Sequence, residues 1–318
     1  MADKNPKRIG LFVGREWSWP PAFIDEVNRR TDKTGVIAEY VTIGGTTMNE
    51  PNPYRVIVDR ISHEVPYYRS YLKNAALQGV KVVNDPFMWT ADDKYFGTSL
   101  IVKLGVAAPR TVVLPNKEYV PGIKHDESLR NLEYPINWQG LVDYLDGFPV
   151  VLKDAHGGGW RDVYIVHSMD ELFDAYNNSG LLTMILQEFI EWESYARCMC
   201  LAQEDVRVMQ YNPNERYYFP EPGFAPDLHQ RIYDDSLTIC RAFGYDMNTV
   251  EFAVRDGIPY AIDFMNPAPD MDINSLGQNH FDWMVTKMAD HMINLAKSRK
   301  ETRSRYDWGK LARQTDKE

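Results

Sequence analysis

Three cysteines in 318 residues, Cys198, Cys200 and Cys240, are too few for a disulfide framework or a four-cysteine zinc site. Cys198 and Cys200 lie two apart in an apolar run, so on a strand both point to one face, where free cysteine packs as a small hydrophobe. So sparse a thiol content fits a reducing compartment. No apolar run approaches the ~20 residues that span a bilayer. The opening MADKNPKR is polar and leads directly into a strand with no leader pattern. The expectation is a cytoplasmic protein with no membrane partner. Basic charge is in deficit, with 35 Lys and Arg against 45 Asp and Glu. A nucleic-acid binder would show the opposite balance, so no nucleic acid is expected. Internal repeats, low-complexity tracts, the phosphate loop GxxxxGK[ST] and the GxGxxG strand-to-helix turn are all missing.

What is present is globular in character. The chain is 44% hydrophobic and 13% aromatic, which excludes a disordered polar chain. Its length suggests about two domains. Buried strands are expected at Arg8–Gly14, Val36–Ile43, Arg55–Asp59 and Val80–Asn84, with helical spacing at Ala22–Arg30 and Val65–Gln78. This alternation argues for an α/β layer with a largely parallel sheet, closing near Trp89. A helix over Asp92–Leu104 and a polar, Pro- and Gly-punctuated loop over Asn116–Pro135 follow. Hairpins are then expected around Gly157–Gly159, Ala202–Asp205 and Arg255–Gly257. Ser168 and Glu171 form a capping-box pattern. Helices are expected at Asp227–Phe243 and Phe281–Ala296, before a charged tail over 299–318.

The chemistry-bearing residues fall in three groups. In FPVVLKDAHGGGWRDVYIV an apolar strand delivers Lys153 beside three glycines, Gly157, Gly158 and Gly159. Such a turn lets amide N–H groups curl toward an anion, and the lysine adds a point charge. In VEFAVRDGIPYAIDFMNPAPDMD, hairpin pairing brings Glu251 near Asp263 and Asn266. Carboxylate and amide oxygens at one spot suit Mg²⁺. Between the two lies ILQEFIEWESYARC, where Gln187 and Glu188 end a strand and Ile190 follows. Backbone and side chains there could meet an adenine edge, Glu193 a ribose and Arg197 phosphates. Arg15, Trp17, Trp19 and Arg60 follow strands of the first unit. An arginine there suits a carboxylate ligand, and the tryptophans either stack on a substrate or pack.

Together these segments resemble the ATP-grasp superfamily, which includes D-alanine–D-alanine ligase, glutathione synthetase and amino-acid ligases acting on protein tails. The resemblance covers about Val80 to Lys297 and begins at VVNDPFMWTADDKYFGTSLIVKLGVAAPRT. It implies an α/β fold with a two-lobed ATP-grasp domain over 90–298, lobes about 90–186 and 187–298, preceded over 1–89 by a Rossmann-like preATP-grasp domain. It implies ATP and Mg²⁺, with Mn²⁺ as a substitute. Lys94, Lys153 and the three glycines correspond to phosphate ligands, Gln187, Glu188 and Ile190 to the adenine hinge, and Glu193 to the ribose ligand. Glu251, Asp263 and Asn266 correspond to the metal ligands. Lys153, Arg197 and Arg216 are the candidate catalytic residues. The Tyr211–Gly223 loop, which carries Arg216, is expected to border the acceptor pocket.

One departure stands out. The family ends its metal hairpin Glu-x-Asn, whereas this chain reads Asp263-Phe264-Met265-Asn266. On a regular strand i and i+3 face opposite ways, so a bulge is required, or Asp270 or Asp272 stands in. The activity implied is an ADP-forming ligase joining a small-molecule carboxylate to an amine or thiol through an acylphosphate. A small-molecule kinase and a non-catalytic ATP-binding protein are the alternatives. A homodimer is the family-based expectation.

Overall fold

The computed structural model describes residues 5–88, 92–123, 128–220 and 223–298; the charged tail over 299–318 lies outside them. Strands β1 (Lys7–Phe12), β2 (Val36–Tyr40), β3 (Tyr54–Asp59) and β4 (Lys81–Val83) form a parallel sheet in the order β2-β1-β3-β4. Val56, Ile57 and Val58 are all buried, as expected of a parallel strand covered on both faces. Helix α1 (Trp19–Arg29) packs Trp19, Phe23 and Val27 on one face, and α3 (Pro66–Leu77) packs Leu72 and Ala75 on the other. Between α1 and β2 lies a single turn, α2 (Thr31–Thr34).

The middle of the chain builds a four-stranded antiparallel sheet. Helix α4 (Lys94–Lys103), β5 (Thr111–Val113), α5 (Trp138–Tyr144), β6 (Val150–Asp154), β7 (Val163–Val166), α6 (Met169–Asn177) and β8 (Met184–Glu188) follow one another, with sheet order β5-β8-β6-β7. Ser168 caps α6: its hydroxyl accepts the Glu171 N–H at 3.2 Å, while the Glu171 carboxylate accepts the N–H of His167, one residue before the group a capping box uses, at 2.8 Å. Helix α5 begins after Asn137, whose side chain caps it by accepting the Gly140 N–H.

The third sheet comprises β9 (Ser194–Leu201), β10 (Asp205–Asn212), β11 (Tyr217–Tyr218), β12 (Met247–Arg255) and β13 (Ile258–Asn266) in the antiparallel order β11-β10-β9-β12-β13. Helix α7 (Pro226–Phe243) covers one face, packing Ile232, Ile239, Cys240 and Phe243 near Cys198, Cys200 and Phe252. All three cysteines are buried and free, in keeping with a packing role. The last helix, α8 (Ile273–Lys297), is broken at Gly277, whose φ of 70° is non-helical. It turns back to lie along α1, β1 and β3, placing Met284, Met288 and Met292 in the core of the first sheet.

Asp272, just before α8, anchors that return. Its carboxylate accepts the N–H groups of Trp17, Ser18 and Trp19 at 2.9–3.2 Å and the Ser18 hydroxyl at 2.8 Å. It therefore caps α1 from a distant part of the chain, where the helix dipole favours an anion. Burial raises the Asp272 carboxyl, but hydrogen bonds from Ser18, Trp19 and Trp17 outweigh it and hold the group below its ordinary range. Asp272→Ala is expected to cost about 1–2 kcal/mol at neutral pH. Because the folded value is depressed, this contribution is present above the unfolded carboxylate value of about 3.9 and is lost as pH falls through the folded one. Urea denaturation of both proteins from pH 7 downward should show the gap narrowing in acid.

Candidate functional site

The face of the third sheet opposite α7 carries the ionisable residues. Strand pairing sets Arg197 of β9 opposite Glu251 of β12, and Glu251 opposite Asp263 of β13; Thr249 pairs with Asn266. Directly opposed residues in antiparallel strands share a face. Arg197, Glu251, Asp263 and Asn266 therefore lie on one side, with the alternating Cys198, Val250 and Phe252 on the other. Two steps on β12, Thr249 to Glu251, span three on β13, and this irregularity is the bulge that the Asp-x-x-Asn spacing demanded. Asp270 and Asp272 are turned elsewhere. Asp270 accepts the Ser275 hydroxyl and the Asp272 N–H, and Asp272 holds the start of α1, so both carboxylates are engaged in these contacts.

Across from this face is Lys153, which β6 brings in almost fully buried. Its ammonium donates to the Ile262 carbonyl of β13 at 3.0 Å. Burial pulls the Lys153 ammonium down to about 8, opposed by the charges of Asp263 and Glu251. The pocket between the sheets is lined by Lys94 and Thr98 of α4, Lys153, Gln187 of β8 and Ile262–Met265 of β13. Lys94 opens α4 after Asp93, whose carboxylate accepts the Tyr95 and Phe96 N–H groups. The Lys94 ammonium donates to the carbonyl of Gly157. In the turn that follows, Gly159 has a φ of 69°, and Trp160 and Asp162 also hold left-handed backbone at 62° and 55°. Left-handed backbone is uncommon in non-glycine residues. A side chain at Gly157 would meet the Asp154 carboxylate at 2.8 Å, so that position must be bare.

Of the hinge residues, Gln187 faces the pocket and donates to the Thr111 hydroxyl at 2.9 Å. The Glu188 side chain is held by Arg110 at 3.1 Å and Arg255 at 3.2 Å, so its carboxylate serves an ion-pair network. Ile190 is buried, and Glu193 is exposed with its N–H donating to the Val254 carbonyl at 2.9 Å. Arg216 lies exposed in the turn joining β10 to β11, with a φ of 53°.

Two residues that the sequence reading passed over belong to the cluster. The Tyr195 hydroxyl donates to one oxygen of Glu251, and Arg197 Nε lies 3.5 Å from the other. Arg197 also donates to the Tyr218 hydroxyl at 3.0 Å. Burial raises the Glu251 carboxyl, while Arg197 draws it down. Asp92 has its carboxyl pushed up to about 6 by burial, against the pull of Lys94. The period-2 alternation shared by Tyr195 and Arg197 was the available signal for the first; for Asp92 there was only its place two residues before Lys94. Among the described residues no group of three or more His, Cys, Asp or Glu side chains forms a metal cluster. Two carboxylates and an amide do fit a hard cation that keeps water and phosphate oxygens in its shell.

Of the two arginines of the first unit, Arg15 is exposed and pairs with Glu64 at 2.9 Å, whereas Arg60 is buried and already partnered. Arg60 grips Glu16 at 2.5 and 2.9 Å, donates to the Pro269 carbonyl and lies 5.4 Å from the Trp19 ring centroid. Trp19 is fully buried on Phe23 and packs, whereas Trp17 is exposed. Arg60→Ala strands a half-buried Glu16 and is expected to cost about 3–5 kcal/mol. A chemical-denaturation midpoint would measure it.

A four-stranded and a five-stranded antiparallel sheet, with a buried lysine and a glycine turn on one side of a pocket and an acidic hairpin on the other, define the ATP-grasp fold. The chain has that fold. It is similar to D-alanine–D-alanine ligase from Bacillus anthracis, with a TM-score of 0.63 and 18% identity over 91% of this chain and 97% of that one. It is equally similar to a RimK domain protein, an ATP-grasp protein from Sphaerobacter thermophilus, with a TM-score of 0.64, 17% identity and coverage of 89% and 98%. In sequence it matches human mitochondrial pyruvate carboxylase, 28% identical over 137 residues, which is 37% of this chain and 12% of that protein. The shared stretch is thus a small part of the carboxylase. No family model matches the chain.

Proposed function

We propose that the chain is an ATP- and Mg²⁺-dependent ligase that activates a carboxylate for attack by an amine or thiol. The observation that carries this reading is the convergence of Glu251, Asp263 and Asn266 on one sheet face opposite the buried Lys153. Lys94, Lys153 and the Gly157–Gly159 turn would hold the ATP phosphates, Gln187, the Glu188 backbone and Ile190 the adenine, and Glu193 the ribose. Glu251, Asp263 and Asn266 would hold Mg²⁺ or Mn²⁺, which neutralises charge on the phosphates. Transfer of the γ-phosphoryl group to the acid gives an acylphosphate and ADP. Attack by the acceptor then forms the amide or thioester and releases phosphate. Lys153 and Arg197 stabilise charge on the group in flight, and Arg216 faces the acceptor side. Closure of the glycine turn excludes water that would hydrolyse the intermediate.

In this reading residues 1–89 are a Rossmann-like preATP-grasp domain, and 90–298 form the ATP-grasp domain, with lobes 90–186 and 187–298. The acid and acceptor are small molecules, the protein works in the cytoplasm, and it is a homodimer. Among the described residues no helix is long and apolar enough to cross a membrane.

An ADP-release assay over carboxylic acids crossed with amines and thiols, with mass detection of products, tests the proposal. ADP and free phosphate formed only when acid and acceptor are both present supports a ligase. A phosphorylated substrate would make the protein a kinase, and nucleotide binding without turnover on the whole panel would make it non-catalytic.

A further inference from the structure

The extra residue between Asp263 and Asn266 is a structural problem that the protein has to solve. The bulge puts both residues on the face of Glu251, but it also leaves Phe264 and Met265 without register partners on β12, and the neighbouring Asn266 N–H turns to a side chain. Buried backbone polar groups need partners. Asn248, fully buried on β12, supplies them. Its amide nitrogen donates to the Phe264 carbonyl at 2.8 Å, and its amide oxygen accepts the Asn266 N–H at 2.9 Å. A primary amide donates through its nitrogen and accepts through its oxygen, so one side chain meets both backbone groups. Asn84 repeats the device one residue further on. It donates to the carbonyls of Pro267 at 3.1 Å and Met247 at 2.8 Å, and accepts the N–H groups of Asp246 and Met247 at 2.8 and 2.9 Å. The bulged segment is thus clamped at both ends to the strand that carries Glu251.

We propose that Asn248 is a positioning residue that holds the bulge, sets the spacing between Asp263 and Asn266, and so fixes the affinity of the site for its divalent cation. Asn248 touches neither cation nor nucleotide; it acts through the two residues it spaces. The proposal rests on the reading of Glu251, Asp263 and Asn266 as cation ligands.

The test is Mn²⁺ binding, followed by electron paramagnetic resonance, to the full-length protein with a non-hydrolysable ATP analogue. Analogue affinity in EDTA and near-ultraviolet circular dichroism are recorded in parallel. Asn248→Ala is expected to weaken Mn²⁺ binding by about 10–100-fold, the usual effect of removing a group that orients a metal ligand. Metal-free analogue affinity should change less than about twofold, since the lysines and hinge are untouched. If the alanine variant fails to fold, Asn248→Leu decides by the same criterion: it fills a similar volume and has neither the donor to Phe264 nor the acceptor for the Asn266 N–H. Unchanged Mn²⁺ binding in a folded variant overturns the positioning role, as does an equal loss of both affinities, which would mark a merely structural residue. Wild-type protein that binds the analogue but takes up no Mn²⁺ overturns the cation reading itself, and the positioning role with it.

Discussion

Lys153→Met is expected to abolish ATP-dependent turnover, by at least about a hundredfold, while making the unliganded protein more stable at neutral pH. The two halves of that result have one cause. The ammonium is buried under β13 with a carbonyl at 3.0 Å and, among the described residues, no carboxylate within ion-pair distance, and burial pulls it down to about 8. The free protein therefore holds a cation at a cost, and the phosphates of a nucleotide would relieve it. The sign follows from proton linkage. Between pH 8 and the unfolded lysine value of about 10.4 the unfolded chain binds the proton and the folded chain does not, so stability rises with pH across that window. Below pH 8 the folded state carries the full penalty. Methionine fills similar volume without charge, so the variant should gain stability at pH 7 and lose the rise between pH 8 and 10. Urea denaturation against pH checks this. Nucleotide binding should also weaken as pH passes 8 in the wild type, by up to about tenfold per unit, because phosphates favour the protonated lysine. A flat profile by calorimetry would sink the assignment of Lys153 to phosphate.

Glu251 is expected to give the second large effect, in two separable forms. Its side chain is 15% exposed, Arg197 is 12% exposed, and Tyr195 donates to the carboxylate from the other side. Glu251→Ala leaves Arg197 without its counter-charge in a desolvated place, and the expected loss of stability is about 3–5 kcal/mol. Glu251→Gln keeps the shape and the Tyr195 contact but removes the charge. It should fold with a smaller loss, yet need at least tenfold more Mg²⁺ for half-maximal activity and turn over about 10²–10³-fold more slowly. Calorimetric melting of both variants and a Mg²⁺ titration of the second distinguish the roles. A glutamine variant with wild-type Mg²⁺ dependence would remove Glu251 from the cation site.

How far the sequence led can be judged from particular residues. The parallel first sheet and the three hairpins were legible because each rests on local signals, apolar runs with turn residues between them. Lys153, Gln187 and Asp263 follow directly, since each sits at a fixed place on such a strand, and the structure lines one pocket with all three. The Asp263–Asn266 spacing was legible as a misfit, and the need for a bulge could be stated. Its remedy could not, because Asn248 is an ordinary strand residue until its partners 16 and 18 positions away are known. Arg60 was misread for a related reason. An arginine after a parallel strand does suit a carboxylate ligand, but the carboxylate it meets is Glu16, and the neighbours that bury it come from 187 and 209 positions downstream.

The return of α8 to the first sheet has a consequence for how the chain matures. The face of β1 and β3 that receives Met284, Met288 and Met292 is complete only when those residues are available. During synthesis β4 emerges more than 200 residues before the end of α8, an interval of about 10–40 s at usual elongation rates. Throughout it the nascent first sheet presents an uncovered apolar surface beside α1. Folding of this unit is thereby tied to the emergence of α8 rather than to its own emergence. A ribosome-stalled chain ending before Ile273 is expected to recruit chaperones that bind exposed apolar surface, and a chain extended past Lys297 to release them.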